Sequence, residues 1–294
     1  MEKIESVSQF LDCVGQIKNE KKTTADVRCS TLYRGQADIS WNLSPSLCRS
    51  GLFHVENLLM RELYHVCPEE FGNNRFDNLV KMQHFGLPTR LLDVTTNPLV
   101  ALYFACNKLN NNNGTVFIFP NMPVSWSSSP IVELFMKFAY ENGTIYTNQS
   151  QLVSSFLQEE PKLCKALHIS DDVRFLQLVT HPAYAVMPLQ SNARIKAQDG
   201  AFFLFGISLK KQGGVCGSNR KLINPVECKT PQEIWKSATQ IVIPYEKKDA
   251  ILYQLDLIGI NEKKLFPDLS HSISHTVEHV RKYALNFWKD DSCE

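Results

Sequence analysis

The chain has 294 residues, 44% hydrophobic and 21% charged, enough to bury a sizeable core as one large domain or two small ones. With 31 basic and 30 acidic residues its formal charge is +1, which excludes a global field drawing in nucleic acid or anionic lipid and leaves only local patches for that purpose. The first dozen residues lack the apolar run of a signal peptide, the most apolar stretches (99–106 and 201–209) are too short to span a bilayer, and nine scattered cysteines without a C-x-x-C pair read as reduced, mostly core thiols. The expected compartment is therefore the cytoplasm, with no membrane partner.

In chain order, residues 1–24 carry the spacing of a short amphipathic helix (Ile4, Val7, Phe10, Leu11, Val14, Ile17) followed by a charged turn from Lys18 to Lys22. Residues 29–33 read as a short strand ending at Arg34-Gly35. Helical spacing recurs over 55–71 and 76–84, and Asn97-Pro98 supplies a cap and a first-turn proline for a helix reaching Cys106. Residues 114–119 form a strand pattern, 120–130 a Pro/Ser-rich loop, and 131–167 a mainly helical stretch. Strands are expected over 183–188, 201–209 and 240–244, the middle one nearly all apolar and therefore central. Helices over 247–258 and 269–288 close the chain.

Together these give an α+β fold, one mixed domain with a central, largely antiparallel sheet flanked by helices. The divisions are an N-terminal helix and turn over 1–24, a main domain over 25–270, and a C-terminal helix over 271–294. The loop at 120–130 is the one candidate for a subdomain break. No G-x-G-x-x-G or G-x-x-x-x-G-K-[ST] occurs, so neither a Rossmann nor a P-loop site is expected.

Three polar segments stand out. In Gln83-His84-Phe85-Gly86-Leu87-Pro88-Thr89-Arg90-Leu91-Leu92-Asp93, polar groups are packed between two apolar helices, where they must be paired or in use. As a short helical turn it would bring Arg90 beside Asp93, and the Asn97-Pro98 helix start could hold an anion on its free N–H groups. Tyr33-Arg34-Gly35 projects a guanidinium from a strand end, a fork suited to phosphate or carboxylate. Arg194, Gln198 and Gly200 lie just before the central apolar strand. Each segment taken alone is also compatible with an ordinary turn or surface loop. His271, His275 and His279 recur at helical spacing but opposite the apolar stripe of their helix, so they read as a solvated face and no metal site is expected.

The three segments together resemble the FRG domain, named for an N-terminal [FY]-R-G motif that Tyr33-Arg34-Gly35 matches. The family's block Q-H-x-G-x-P-T-R-L-L-D-W-T-x-N-P-x-x-A-L-x-F-A is matched by Gln83 through Ala105, except for Val94 where the family commonly has Trp, which implies a missing aromatic wall. Its R-x-x-x-Q-x-G-x-F block is matched by Arg194, Gln198, Gly200 and Phe202. Glu62 resembles an acidic position between the first two blocks. Residues 241–244, Lys247 and 265–269 look like its C-terminal signature. The resemblance covers roughly residues 28–270 and implies that the blocks converge.

Convergence would gather Arg34, Arg90 and Arg194 around an anionic ligand, a nucleotide or a phosphorylated small molecule. A strand-terminal Tyr-Arg-Gly also looks like the opening of the Arg-type ADP-ribosyltransferase fold, a fold-level analogy. On that reading NAD is a substrate rather than a cofactor, and a macromolecular target is a further partner. Arg34 and Arg90 hold its pyrophosphate, with Tyr33, Gly35, Gln83, Thr89, Arg194 and Gln198 lining the site. Asp93 or Glu62 stabilises the oxocarbenium ion, and His84 positions the ribose or acts as base. Against it, the acidic motif of that superfamily is matched only by Gln158-Glu159-Glu160, in a helical setting beside Pro161. The alternatives are a non-catalytic nucleotide sensor in stress or phage defence, and a nuclease using His84, Asp93 and Glu62.

Overall fold

A computed structural model describes residues 2–20, 29–107, 111–141, 147–190, 192–206, 209–211, 222–225 and 238–267. Its strands are β1 (Glu2–Lys3), β2 (Cys29–Gln36), β3 (Leu91–Thr95), β4 (Gly114–Trp126), β5 (Thr147–Asn148), β6 (Ala183–Met187), β7 (Gly200–Phe205), β8 (Leu209–Lys211), β9 (Leu222–Pro225) and β10 (Thr239–Ile243). Its helices are α1 (Val7–Glu20), α2 (Ser46–Arg49), α3 (Glu56–Val66), α4 (Arg75–His84), α5 (Pro98–Cys106), α6 (Pro130–Glu141), α7 (Gln149–Glu159), α8 (Pro161–Ala166), α9 (Asp172–Val179), α10 (Ala193–Ala197), α11 (Lys248–Leu257) and α12 (Glu262–Leu265). The fold is α+β with a largely antiparallel main sheet, as the sequence predicts. The expected helix over 269–288, with its three histidines, lies outside the described residues.

The main sheet is not open. Its strands run in the order β1-β10-β4-β2-β3-β7-β6, and β6 also pairs with β4, so β4, β2, β3, β7 and β6 close a five-stranded ring. Closure depends on the length of β4. Its first half pairs with β10 and β2 (Val116 opposite Ile241 and Gly35), and its end runs parallel to β6 (Val124 opposite Ala185). Between the halves Asn121 has a φ of 53°, which bends the strand at the changeover.

The Pro/Ser-rich loop expected over 120–130 is therefore wrong for its first seven residues. Pro120 and Pro123 suggested a loop because proline cannot donate to a ladder. Here both prolines lie between the β10 ladder, which reaches only to Ile118, and the β6 ladder, which begins at Val124, and Pro120 falls at the irregularity in the β2 ladder.

Alternation along β2 divides the core. Leu32 packs with Leu92, Val94, Phe119, Ala185 and Phe203, at least one from each ring strand, and with α3, α4 and α6 to α9. Tyr33, facing the other way, packs with α1, α5, α11 and β10 through Phe10, Val100, Ile241 and Ile251. Gly35 shares that second face, and a Cβ there would stand 1.8 Å from the Ala101 carbonyl oxygen. Glycine is what lets α5 lie directly against β2. Helix starts follow the sequence: Asn74 accepts from Phe76 and Asp77 N–H, and Asn97 from Leu99 N–H.

Two further expectations change. Cys48 is disulfide-bonded, against the reading of reduced thiols, whereas Cys13, Cys29, Cys67, Cys106 and Cys164 are free. Strand β2 continues through Gln36, so Arg34 and Gly35 lie inside the strand and not beyond its end. Among the described residues no helix is long and apolar enough to cross a membrane.

Candidate functional site

A cavity of about 410 Å³ opens beside the ring where β2, β3 and the start of β7 meet α4, α5 and α10. That volume lies within the range of small-ligand sites. Its wall includes Tyr33, Arg34 and Gly35 from β2, Gln83 and His84 from α4, Asp93 from β3, and Arg194 and Gln198 from α10 and the turn after it. Segments as distant in sequence as Tyr33 and Gln198 thus meet in one wall. The reason is topological: β3 pairs with β2 on one side (Thr95 opposite Tyr33) and with β7 on the other (Thr95 opposite Gly200).

The polar groups are held as follows. Arg34 Nη1 donates to the Asp93 carbonyl at 2.5 Å, while its Nε, buried, has no hydrogen-bond partner. Burial pushes this guanidinium below its usual pKa; the Asp93 charge pulls it back up, and Arg49 pushes it down. The exposed Asp93 carboxylate accepts from Gln83 Nε2 at 2.9 Å. Gln83 Oε1 in turn accepts from the Thr89 hydroxyl. Arg194 is placed by the α10 cap, where its N–H meets Asn192 Oδ1 at 2.7 Å, and its guanidinium lies over the Phe266 ring at 4.7 Å. Gln198 Nε2 donates to the Leu265 carbonyl at 3.0 Å, tying this wall to α12.

Three expected site residues lie elsewhere. Arg90 is 2% exposed and buried beneath the Phe53 ring, with Nε 2.7 Å from Glu56 Oε1 and Nη2 bonded to Glu56 Oε2. It does not pair with Asp93, because residues 91–95 form a strand rather than a helical turn and the two side chains part. Thr89 is fully buried behind the cavity and acts through Gln83. Glu62 sits exposed on α3, outside the cavity wall. The start of α5 is also engaged: Leu99 N–H meets the Asn97 side chain and Thr96 N–H the Asp199 carbonyl. Gln158-Glu159-Glu160 closes α7 and is not in the wall.

The structure adds residues that sequence reading passed over. Gln36 lines the cavity two residues beyond Arg34, on the same face of β2, and would have been found had the strand been extended past Tyr33. Trp41 and Phe104 bring aromatic rings to the wall; Val94, where an aromatic was missed, is itself a buried lining residue. No sequence periodicity marks Trp41, which lies in the loop before α2.

Chemically the wall offers two guanidiniums, one carboxylate, one imidazole, side-chain amides and the aromatic rings of Tyr33, Trp41, Phe104 and Phe202. Among the described residues no three His, Cys, Asp or Glu side chains gather as a potential metal site.

Residues 30–114 match the family model of the FRG domain. Over this stretch the chain is similar to the FRG domain. A search of curated proteins and of solved structures finds no match. The FRG stretch holds β2, α3, α4, β3 and α5, and hence Arg34, Gln36, Gln83, His84 and Asp93. Arg194 and Gln198 lie beyond it in sequence, yet they complete the cavity that the FRG domain begins.

Proposed function

We propose that the FRG domain and the α10 turn bind a phosphorylated nucleotide, and that this site cleaves the N-glycosidic bond of NAD. One observation carries the reading: Arg34, with a buried and unpartnered Nε, and Asp93, oriented by Gln83, line a single cavity. Arg34 and Arg194 supply positive charge for the pyrophosphate, now without Arg90. Trp41 and Phe104 offer faces on which a base or nicotinamide ring can stack.

In the step envisaged, the bond from ribose C1′ to the nicotinamide nitrogen breaks and its electron pair leaves with nicotinamide. The resulting oxocarbenium ion is stabilised by the Asp93 carboxylate. Water or a nucleophile on a macromolecular target then adds to C1′, and His84 takes its proton. The test is nicotinamide release on incubation with NAD, with and without cell extract as a source of acceptors. Release that falls at least about a hundredfold in Asp93→Asn, with binding retained, supports the chemistry. No release under either condition would falsify it.

A second reading, a nucleotide sensor without turnover, is favoured by a specific observation. Among the described residues lining the cavity Asp93 is the one carboxylate, since Glu62 faces solvent on α3. Thermal stabilisation by nucleotides without nicotinamide release, lost in Arg34→Ala, is the outcome that selects it.

A further inference from the structure

Gln36 is 3% exposed and lines the cavity, yet its Oε1 is buried without a hydrogen-bond partner. Such an atom is costly: an unmet buried acceptor loses the full benefit of hydration. The hydroxyl across the ladder is spoken for. Thr115 stands opposite Gln36 across the β2–β4 ladder, but its hydroxyl donates to the Ile241 carbonyl at 3.1 Å. The next polar residue on the same face of β2 is Arg34, whose buried Nε is also without a hydrogen-bond partner, as is the Tyr33 hydroxyl on the opposite face. Strand alternation therefore puts an open donor and an open acceptor two residues apart, roughly 6–7 Å along the strand, on one wall of one cavity.

Resting on the nucleotide reading above, we infer that Gln36 is a specificity-determining residue, its Oε1 accepting a hydrogen bond from an amino or amide N–H of the ligand whose anionic group Arg34 holds. The ligand class is thus a phosphorylated nucleotide bearing an exocyclic NH₂, and an analogue lacking it leaves the Gln36 oxygen unmet. A site built to hydrogen-bond a substrate N–H discriminates strongly against the analogue without it.

The experiment uses the full chain and four probes in two matched pairs: NAD against its nicotinic-acid counterpart, and AMP against purine riboside 5′-monophosphate. Affinities are measured by calorimetry for wild type and Gln36→Leu, together with ligand-free melting temperatures. Expected is a preference of about tenfold or more for the NH₂-bearing member of one pair, abolished in Gln36→Leu. The pair that responds tells whether the amide or the adenine amine is read. Ligand-free Gln36→Leu should melt about 2 °C higher, because the apolar side chain removes an unmet acceptor.

A preference unchanged by Gln36→Leu, or none in wild type, overturns the inference while leaving nucleotide binding standing. If none of the four probes binds wild type, the nucleotide reading falls. The inference falls with it, and a lower melting temperature in Gln36→Leu then makes Gln36 a structural residue.

Discussion

Arg90 and Glu56 form a fork-to-fork ion pair inside the first core, 2% and 5% exposed, at a place where the sequence suggested a ligand-binding arginine. The pair joins the end of the 83–93 segment to the first residue of α3. Arg90 Nη1 also reaches the Phe205 carbonyl at 3.4 Å, so one guanidinium ties α3, β3 and β7 together.

Removing one partner strands a buried charge. Glu56→Ala or Arg90→Ala should each destabilise the protein by about 3–5 kcal/mol in urea unfolding. The double replacement Arg90→Met with Glu56→Leu should recover most of that loss, since an apolar pair needs no compensation. Ligand affinity in the double variant should stay near wild type. A large loss of binding there, with stability restored, would return Arg90 to the site.

Gly35→Ala places a methyl group 1.8 Å from the Ala101 carbonyl oxygen and 2.8 Å from the Ala105 nitrogen, both backbone atoms that cannot swing away. The strand and α5 must separate, at a cost of about 3 kcal/mol or more. The expected readout is a fall in melting temperature together with weakened ligand binding, because Arg34 moves with the strand. A variant that melts like wild type would mean α5 has room to shift.

Thr89 does not touch the cavity, but its hydroxyl donates to Gln83 Oε1 and accepts from Leu91 N–H. Thr89→Val keeps the shape and removes both bonds. NAD cleavage, or ligand affinity under the sensor reading, should drop about tenfold, and Thr89→Ser should restore it. Equal behaviour of the two variants would argue against a positioning role.

Cys106 lies fully buried on α5, and burial pushes its thiol from the ordinary 9.0 up to about 12. Below pH 9 both states hold the proton and this contribution is complete. Between 9 and about 12 the unfolded thiol ionises while the folded one does not, so stability falls as pH rises through that window. Cys106→Ala should show a shallower alkaline decline than wild type in urea unfolding from pH 8 to 10.5. At pH 8 iodoacetamide should label Cys29 and Cys67, both partly exposed, well before Cys106. Fast labelling of Cys106 in the native protein would contradict its burial.

Much of the molecule was legible in advance where local chemistry governs. Asn97-Pro98 starts a helix because the side chain meets an N–H two residues on and proline lacks one to lose. The apolar run over 201–209 reads as a central strand, and β7, which stops at Phe205, does lie between β3 and β6. The misreadings share a cause. Pro120 and Pro123 signal a loop only if a neighbouring ladder needs their N–H, and whether β10 reaches that far is a long-range fact. Arg90 and Asp93 looked like a helical pair because a charge spacing of three says nothing of backbone conformation; as a strand, the same residues part.

The sequence by itself determined that polar groups at Tyr33-Arg34-Gly35, Gln83–Asp93 and Arg194–Gln198 are set against apolar segments, since motif spacing and hydrophobic pattern are local properties. Only the tertiary structure decided which of them share a cavity. Strand β3, paired with β2 and β7 at once, draws Arg34, Asp93 and the α10 turn into one wall, while the Glu56 carboxylate draws Arg90 into the core. Both outcomes follow from partners distant in the chain, and a buried charge goes where its counter-charge is.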